Sequence, residues 1–197
     1  MKTYAITGGL GSGKSTLKNW FSQQGVPTLD ADQISRDLVT PGQPALHMIA
    51  EQLGTAFIQA DGQLDRQHLR EHIFTNRQAK HTLESILHPM IREETQLRLT
   101  EFSKQGHSLA VIEIPLLVET GRPDYIDGII LADCAPSQQI ERVQTRNGWS
   151  YPQIINIMKQ QASRQDRLAI ADIIIDTSSD LNSVANQLQK VLEQLKA

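Results

Sequence analysis

The sequence predicts an α/β fold in which helices cover both faces of a five-stranded parallel sheet. Five short apolar runs, rich in β-branched residues, are separated by long helical patterns; the runs span residues 4–6, 26–29, 109–114, 128–132 and 172–176. Their hydrophobicity is mostly continuous rather than alternating, which is typical of parallel strands that are buried on both faces. Because parallel strands are joined by right-handed crossovers, the intervening helices form the two outer layers.

A phosphate-binding loop follows the first predicted strand directly. Residues 8–15 read Gly-Gly-Leu-Gly-Ser-Gly-Lys-Ser, which is a complete Gly-x-x-x-x-Gly-Lys-Ser pattern. Glycines let successive backbone N–H groups point at an anion, and the following helix adds the positive end of its dipole. Lys14 is expected to reach the β- and γ-phosphates, and the Ser15 hydroxyl to bind Mg²⁺. The sequence therefore predicts a P-loop NTPase core that binds ATP with Mg²⁺.

Two insertions interrupt the predicted sheet. Between the second and third strands, helical patterns cover residues 44–53, 65–74, 77–87 and a stretch from Pro89 to about residue 104. Asp65 is a candidate N-cap, and Pro89 stands where a proline tolerates a helix start. This stretch is too long for a simple crossover, so we expect a helical insertion above the phosphate loop, where a second substrate would sit. A shorter insertion spans residues 142–167.

Composition restricts the class of protein. The formal net charge is −3, which argues against a dedicated nucleic-acid or membrane-surface binder. The single cysteine, Cys134, excludes an internal disulfide framework and suits a reducing compartment. The N-terminal apolar stretch is too short for a signal peptide or a membrane span. We expect a cytoplasmic protein, and a monomer is favoured although the sequence does not determine the oligomeric state.

The second predicted strand ends in two carboxylates, Asp30 and Asp32. If the chain stays extended there, both side chains point the same way. Phosphoryl transfer needs a group that orients the attacking hydroxyl and accepts its proton, so Asp32 is the candidate base and Asp30 a support for substrate or metal. The alternative is that either residue only caps a helix that starts near Gln33.

Two further patterns suit phosphoryl transfer. The third strand carries Glu113, as in a Walker B run, where an acid orients Mg²⁺ through water; the alternative is a glutamate without function. Four arginines surround the second insertion, namely Arg142, Arg146, Arg164 and Arg167. A flap that carries arginines can neutralise a transferring phosphoryl group and exclude water, whereas the alternative is a solvated helix face with ion pairs.

The histidines are weaker candidates. His68 and His72 stand four residues apart, as in a zinc pair, but Leu69 replaces the usual glutamate and no third ligand is evident. His88 lies directly before Pro89, where it could hold a phosphate or serve in packing or capping.

Taken together, these motifs resemble the dephospho-coenzyme A kinase family over nearly the whole chain. The segments that carry the resemblance are the loop of residues 7–16, Asp30-Ala31-Asp32, Arg36, Gly62-Gln63-Leu64-Asp65-Arg66, His88-Pro89, Pro115-Leu116-Leu117-Val118-Glu119, Gln161-Ala162-Ser163-Arg164 and Ala171-Asp172. The resemblance implies a nucleoside-monophosphate-kinase-like fold and phosphorylation of the ribose 3′-hydroxyl of dephospho-coenzyme A by ATP, the last step of coenzyme A synthesis. It also implies a P-loop core over residues 1–29, 105–141 and 168–197, a helical coenzyme A domain over residues 30–104, and a lid over residues 142–167.

The same resemblance implies roles for individual residues. The ATP site falls on Gly11, Ser12, Gly13, Lys14, Ser15 and Thr16, and Asp32 is the base. The lid arginine is Arg142, and the acceptor side comprises Arg36, Asp65, His88, Pro115 and Glu119. Glu113 departs from the family pattern, because many members carry Asp before the Pro-Leu-Leu turn.

Three alternatives stay open at the level of the sequence. A regulatory GTPase would need a guanine-reading Asn-Lys-x-Asp motif, and the chain has no Asn-Lys pair. A nucleotide sensor would bind ATP without using the Asp pair. A nucleoside or nucleoside monophosphate kinase differs only in the acceptor, which motif spacing does not identify.

Overall fold

A computed structural model describes residues 1–196 of the chain. Its sheet has five strands, which are β1 (Lys2–Thr7), β2 (Thr28–Asp30), β3 (Leu109–Glu113), β4 (Gly128–Asp133) and β5 (Ile173–Asp176). The strands are hydrogen-bonded in the order β2-β3-β1-β4-β5, and every pairing is parallel. The predicted α/β fold with a five-stranded parallel sheet is confirmed.

Ten α-helices accompany the sheet within residues 1–196. They are α1 (Lys14–Gln23), α2 (Ala31–Asp37), α3 (Pro44–Leu53), α4 (Arg66–Thr75), α5 (Arg77–Lys104), α6 (Leu117–Thr120), α7 (Pro136–Asn147), α8 (Tyr151–Gln160), α9 (Arg164–Ile170) and α10 (Leu181–Lys196). A short 3₁₀ helix spans Thr55–Phe57. Among these residues, no helix combines the length and apolarity that crossing a membrane requires.

The chain forms two compact units. Among the described residues, the first unit comprises residues 1–30 and 101–196 and contains the sheet, and the second unit comprises Ala31–Thr100. In the first unit, apolar side chains from β1, β3 and β4 pack with α1 and α10; Ile6, Phe21, Val111, Ile130 and Leu188 are buried there. Burial of this kind stabilises by about 25 cal/mol for each Å² of apolar surface removed from water.

The second unit has its own smaller core. Val39, Ala45, Ile49, Phe57, Leu69 and Ile86 are its buried apolar residues. Asp65 caps α4 as predicted, because its Oδ1 accepts a hydrogen bond from the His68 backbone N–H at 2.9 Å. A cap of this type contributes about 1 kcal/mol to helix stability.

One element differs from the sequence prediction. The proline at position 89 predicted a helix start, but α5 runs without interruption through Pro89. An interior proline removes one backbone donor and usually bends or breaks a helix. Buried residues on both sides of it, Ile86 and Thr95, belong to the same helix, so packing along α5 outweighs the local cost.

Candidate active site

The phosphate-binding loop lies between β1 and α1, at the carboxyl edge of the sheet. Gly11 and Gly13 have φ angles of 71° and 94°, in the left-handed region that favours glycine. A Cβ on Gly11 would also lie 2.6 Å from the Gln139 carbonyl oxygen, so no larger residue fits without a shift. The loop tightens on itself where the Ser12 N–H donates to the Gly9 carbonyl at 3.1 Å. These features produce a tight glycine turn with the backbone geometry that anion-binding loops use.

Lys14 lies over this loop. Its Nζ donates hydrogen bonds to the carbonyl oxygens of Gly8 and Gly9, each at 2.9 Å. The ammonium group is therefore held beside the same turn whose N–H groups and helix dipole attract an anion. Loop and lysine together supply positive potential at one place.

Ser15 and Glu113 meet at the start of α1. The Ser15 hydroxyl donates to Glu113 Oε1 at 3.0 Å, although the two residues are 98 positions apart in the sequence. Glu113 ends β3 and is only 5% exposed. A hydroxyl whose proton is directed at a carboxylate keeps its lone pairs for a hard cation, which is the donor chemistry that Mg²⁺ prefers.

Lys18 is a member of this cluster that the sequence analysis missed. The strand register places Asp30 directly beside Glu113, so two carboxylates are neighbours in the sheet. Lys18 Nζ lies 2.5 Å from Asp30 Oδ2 and 3.1 Å from Glu113 Oε2. Burial lowers the pKa of Lys18, but its hydrogen bonds to Asp30 and Glu113 outweigh burial and leave the pKa raised. The available signal was its position one turn after Lys14 on α1.

The two aspartates after β2 do not share one side of an extended strand. β2 ends at Asp30 and α2 begins at Ala31, so the extended chain on which a shared direction of the two side chains depended is not present. Asp30 belongs to the first unit and pairs with Lys18. Asp32 belongs to the second unit and is exposed in the first turn of α2, where a negative charge is favoured by the helix dipole.

The four arginines of the predicted lid have different partners. Arg142 donates to the carbonyl oxygen of Thr177, to its Oγ1 at 3.3 Å, and to Cys134 Sγ at 3.6 Å. Thr177 in turn donates from Oγ1 to the Ser12 carbonyl at 2.7 Å, so Arg142 reaches the phosphate loop through one intermediate residue. Arg146 is exposed and donates to the side chain of Asn147.

The remaining two arginines belong to α9. Arg164 forms a bidentate pair with Asp133, with Nε 2.9 Å from Oδ1 and Nη2 2.6 Å from Oδ2. The hydrogen bonds to Asp133 raise the pKa of Arg164. Arg167 is half-buried, and its guanidinium lies beside Gly9 of the phosphate loop, since a Cβ added to Gly9 would lie 3.0 Å from Nη2. Burial lowers the pKa of Arg167, although nearby carboxylates oppose the shift.

The predicted acceptor-side residues are divided between the two units. In the second unit, the carbonyl of Arg36 accepts a hydrogen bond from Arg66 at 3.1 Å, Asp65 caps α4, and His88 is exposed on α5. In the first unit, Pro115 follows β3, and Glu119 Oε1 accepts from the Ala162 backbone N–H at 2.7 Å.

His68 and His72 have a packing role. Their rings lie against Phe57, with centroid distances of 4.8 Å and 5.1 Å. Within residues 1–196, no group of three or more His, Cys, Asp or Glu side chains is arranged to hold a metal ion. The two histidines therefore cover the aromatic ring of a core residue.

Strand order, phosphate loop and the Ser15–Glu113 pair together define the class of protein. A parallel sheet with a Gly-x-x-x-x-Gly-Lys-Ser loop after its first strand, and an acidic residue at the end of the neighbouring strand, is the arrangement of P-loop phosphotransferases. The arginines beside the loop suit kinases, which must neutralise a transferring phosphoryl group.

Comparisons with known proteins identify the family within this class. A sequence profile described as CoaE, dephospho-CoA kinase, matches residues 3–183. The chain is 45% identical over 192 residues to the dephospho-CoA kinase of Hydrogenovibrio crunogenus, covering 98% of this chain and 97% of that one. It is 39% identical over 188 residues to the dephospho-CoA kinase of Escherichia coli K12, covering 95% and 89%. The chain belongs to the dephospho-CoA kinase family.

Solved structures share the fold. The crystal structure of TT1252 from Thermus thermophilus superposes with a TM-score of 0.84 at 26% identity, covering 100% of this chain and 98% of that chain.

Proposed function

We propose that the chain transfers the γ-phosphoryl group of ATP to the ribose 3′-hydroxyl of dephospho-coenzyme A, which is the last step of coenzyme A synthesis. Family membership supports this assignment over nearly the whole chain. The observation that carries the chemistry is the phosphate loop, where Lys14 and Ser15 stand at the start of α1 and Glu113 lies against the Ser15 hydroxyl.

The residues at this loop fit Mg²⁺. Ser15 and Glu113 offer a hydroxyl and a carboxylate, both hard oxygen donors, and their mutual hydrogen bond orients the hydroxyl. Ser15 would hold the cation, and Glu113 would act through Ser15 or through water. Mg²⁺ supplies charge neutralisation on the β- and γ-phosphates.

The rest of the ATP site consists of groups of this chain. Residues 11–16 form the proposed ATP site, where the backbone N–H groups that do not already donate within the loop would bind phosphate oxygens. Lys14 would place its ammonium on the β- and γ-phosphates. Arg142 is the proposed lid arginine, which would stabilise the equatorial oxygens during transfer. Phosphoryl transfer needs mainly positioning and charge stabilisation, which such groups provide.

The acceptor-side roles are proposals for named side chains. Asp32 would accept the proton of the attacking ribose hydroxyl, because phosphoryl transfer needs a carboxylate or similar base and Asp32 is an exposed carboxylate in the first turn of α2. The proposed acceptor contacts are Arg36, Asp65, His88, Pro115 and Glu119. We assign ATP binding to a P-loop core of residues 1–29, 105–141 and 168–197. We assign acceptor binding to residues 30–104 and the lid to residues 142–167.

We also propose a cytoplasmic location and a monomeric state. Cys134 is a buried free thiol, which suits a reducing compartment. Light scattering during size-exclusion chromatography tests the monomer.

An ADP-release assay tests the function. Mg·ATP is combined separately with dephospho-coenzyme A, adenosine, AMP or no acceptor, and mass spectrometry identifies the product. A gain of one phosphate on dephospho-coenzyme A alone is expected. ADP release with adenosine or AMP alone would favour a nucleoside or nucleoside monophosphate kinase, and acceptor-independent release would favour an NTPase or sensor.

A further inference from the structure

Arg167 has few protein partners for a half-buried guanidinium. Its Nη1 donates to the Ala162 carbonyl at 2.5 Å, and this is its one hydrogen bond in the part of the chain that the structure describes. Within the same residues, no carboxylate oxygen lies within 4.0 Å of its guanidinium nitrogens. An arginine carries five N–H donors in a planar fork, so most of the donors of Arg167 have no acceptor on the protein.

Two other arginines of the first unit have carboxylate partners, whereas Arg142 and Arg146 bond to uncharged groups. Arg164 is bound in bidentate fashion by Asp133, and Arg122 donates to the Ile126 carbonyl and lies 3.7 Å from Asp172 Oδ2. A cation that is partly removed from water without a carboxylate partner costs free energy until an anion reaches it. The carboxylates of Glu119, Asp133 and Asp166 act on Arg167 only from beyond 4.0 Å, so its fork can bind an anion that comes within hydrogen-bond distance.

The position of Arg167 indicates which anion it would receive. The guanidinium lies against Gly9, with Nη2 3.0 Å and Cζ 3.3 Å from the place that a Cβ would occupy. Gly9 belongs to the phosphate loop, whose carbonyl groups hold Lys14. The available N–H donors thus lie beside the turn that attracts phosphate.

A short segment holds Arg167 in this place. The peptide of Ala162 is bound on both sides, because its N–H donates to Glu119 Oε1 at 2.7 Å while its carbonyl accepts from Arg167. The preceding residue, Gln161, accepts the Leu10 N–H of the loop with its side-chain oxygen at 2.9 Å. Glu119 therefore anchors the segment that contacts Leu10 and that accepts the hydrogen bond of Arg167.

We propose that Arg167 binds the β- or γ-phosphate of ATP directly, and that Glu119 is a positioning residue that acts on Arg167 through the peptide of Ala162. This inference rests on the proposed function, since it assigns a further residue to the same ATP site. It gives Arg167 a place distinct from that of Arg142, which bonds to Thr177. It also moves Glu119 from acceptor binding to the support of the loop.

Nucleotide binding measured without any acceptor tests the role of Arg167. Calorimetry compares AMP, ADP and the β,γ-methylene analogue of ATP, each with Mg²⁺, for the unmodified chain and for Arg167→Met. Charge-assisted hydrogen bonds to phosphate predict that the variant binds the ATP analogue about tenfold or more weakly, while AMP binding changes by less than about twofold. Arg167→Lys keeps the charge but loses the fork, so its affinity should be intermediate.

Arg122→Met is the matched control. It removes the same charge from the same unit at a guanidinium that already has protein partners, and it should leave all three affinities unchanged. Unchanged binding of the ATP analogue by Arg167→Met would overturn the proposal, as would an equal loss for AMP and the analogue. Thermal unfolding shows whether each variant is folded. If the unmodified chain binds no nucleotide, the proposed function itself fails.

Two variants of Glu119 test its positioning role. Glu119→Ala removes the acceptor of the Ala162 N–H, whereas Glu119→Gln retains an oxygen that can accept it. We expect Glu119→Ala to lower the affinity for the ATP analogue about threefold to tenfold and to speed amide hydrogen exchange at Leu10. For Glu119→Gln, we expect the affinity and the exchange rate to be closer to those of the unmodified chain. A rise confined to the KM for dephospho-coenzyme A would return Glu119 to the acceptor side and overturn its positioning role.

Discussion

The two units of the chain hold their functional side chains in different ways. In the first unit, polar contacts join residues far apart in sequence: Ser15 with Glu113, Leu10 with Gln161, and Thr177 with Ser12. In the second unit, the polar contacts include many within one helical turn, such as Asp65 with His68 and Arg98 with Glu94. A site made of distant segments forms only when the sheet is complete, whereas local caps and pairs depend on their own helix.

This difference is consistent with the roles proposed for the two units. The first unit presents a phosphate loop whose geometry is set by a buried sheet, which suits charge stabilisation that must be preorganised. The second unit presents the exposed side chains Asp32, Arg36 and His88 on helices, which suits recognition of a large acceptor. Substitutions in the two units should therefore affect different quantities, namely kcat, the free energy of unfolding of the whole chain, and the local stability of single helices.

The largest expected effect comes from Asp32→Asn. Loss of the proposed base should lower kcat by about 10²- to 10⁴-fold, because proton acceptance contributes on that scale. Binding of Mg·ATP should stay near normal, because the phosphate loop belongs to the first unit. Steady-state kinetics and calorimetry measure the two quantities.

Asp61→Asn is a control for Asp32→Asn, since it removes an exposed carboxylate from a turn of the same unit. It should leave kcat unchanged. Near-normal turnover in Asp32→Asn would show that the proton goes elsewhere.

A smaller effect, on stability, is expected from Lys18→Met. The variant leaves Asp30 and Glu113 as neighbouring carboxylates without their shared ammonium. Breaking a buried ion pair costs about 3–5 kcal/mol; because Asp30 is partly exposed, we expect about 2–3 kcal/mol in the free energy of unfolding. Urea denaturation measures this loss.

Two further variants refine the Lys18 measurement. Lys18→Met combined with Glu113→Gln should recover part of the loss, because the double variant no longer has two adjacent charges. Lys190→Met removes an exposed ammonium and should change stability by less than about 0.5 kcal/mol. Equal effects of Lys18→Met and Lys190→Met would contradict a structural role for the ion-pair cluster.

Asp65→Ala should have a smaller and more local effect. Removing the cap of α4 leaves the His68 N–H without its acceptor and costs about 1 kcal/mol. Hydrogen exchange should increase in α4 more than in β1 or β3, because the contact lies within one turn. A uniform increase over both units would mean that the second unit unfolds together with the first.

The smallest expected effect is a pH dependence at the end of β5. Hydrogen bonds from Ser178 hold the pKa of Asp176 below its ordinary value. A folded-state pKa that is lowered stabilises the fold above the unfolded pKa, near pH 4, and this contribution disappears as the pH falls through the lowered value. The difference in Tm between the unmodified chain and Asp176→Ala should therefore shrink between pH 5 and pH 2. A constant difference would assign the effect to packing.

The sequence alone was sufficient for features that are encoded locally. Hydrophobic continuity predicted five parallel strands, helical periodicity predicted α3 at residues 44–53, and residue type predicted the cap at Asp65. The glycine pattern predicted the phosphate loop, since glycine permits the positive φ that Gly11 and Gly13 adopt. Family membership followed from the ordered motifs.

Tertiary structure decided what depends on distant segments. The strand order places Asp30 beside Glu113, and only then does Lys18 acquire two carboxylate partners. Periodicity cannot weigh a local proline against packing along a long helix, so the continuity of α5 through Pro89 was missed. The sequence does not distinguish the four arginines of residues 142–167, but in the structure each has different hydrogen-bond partners. The partner of a side chain depends on which loops the sheet brings together.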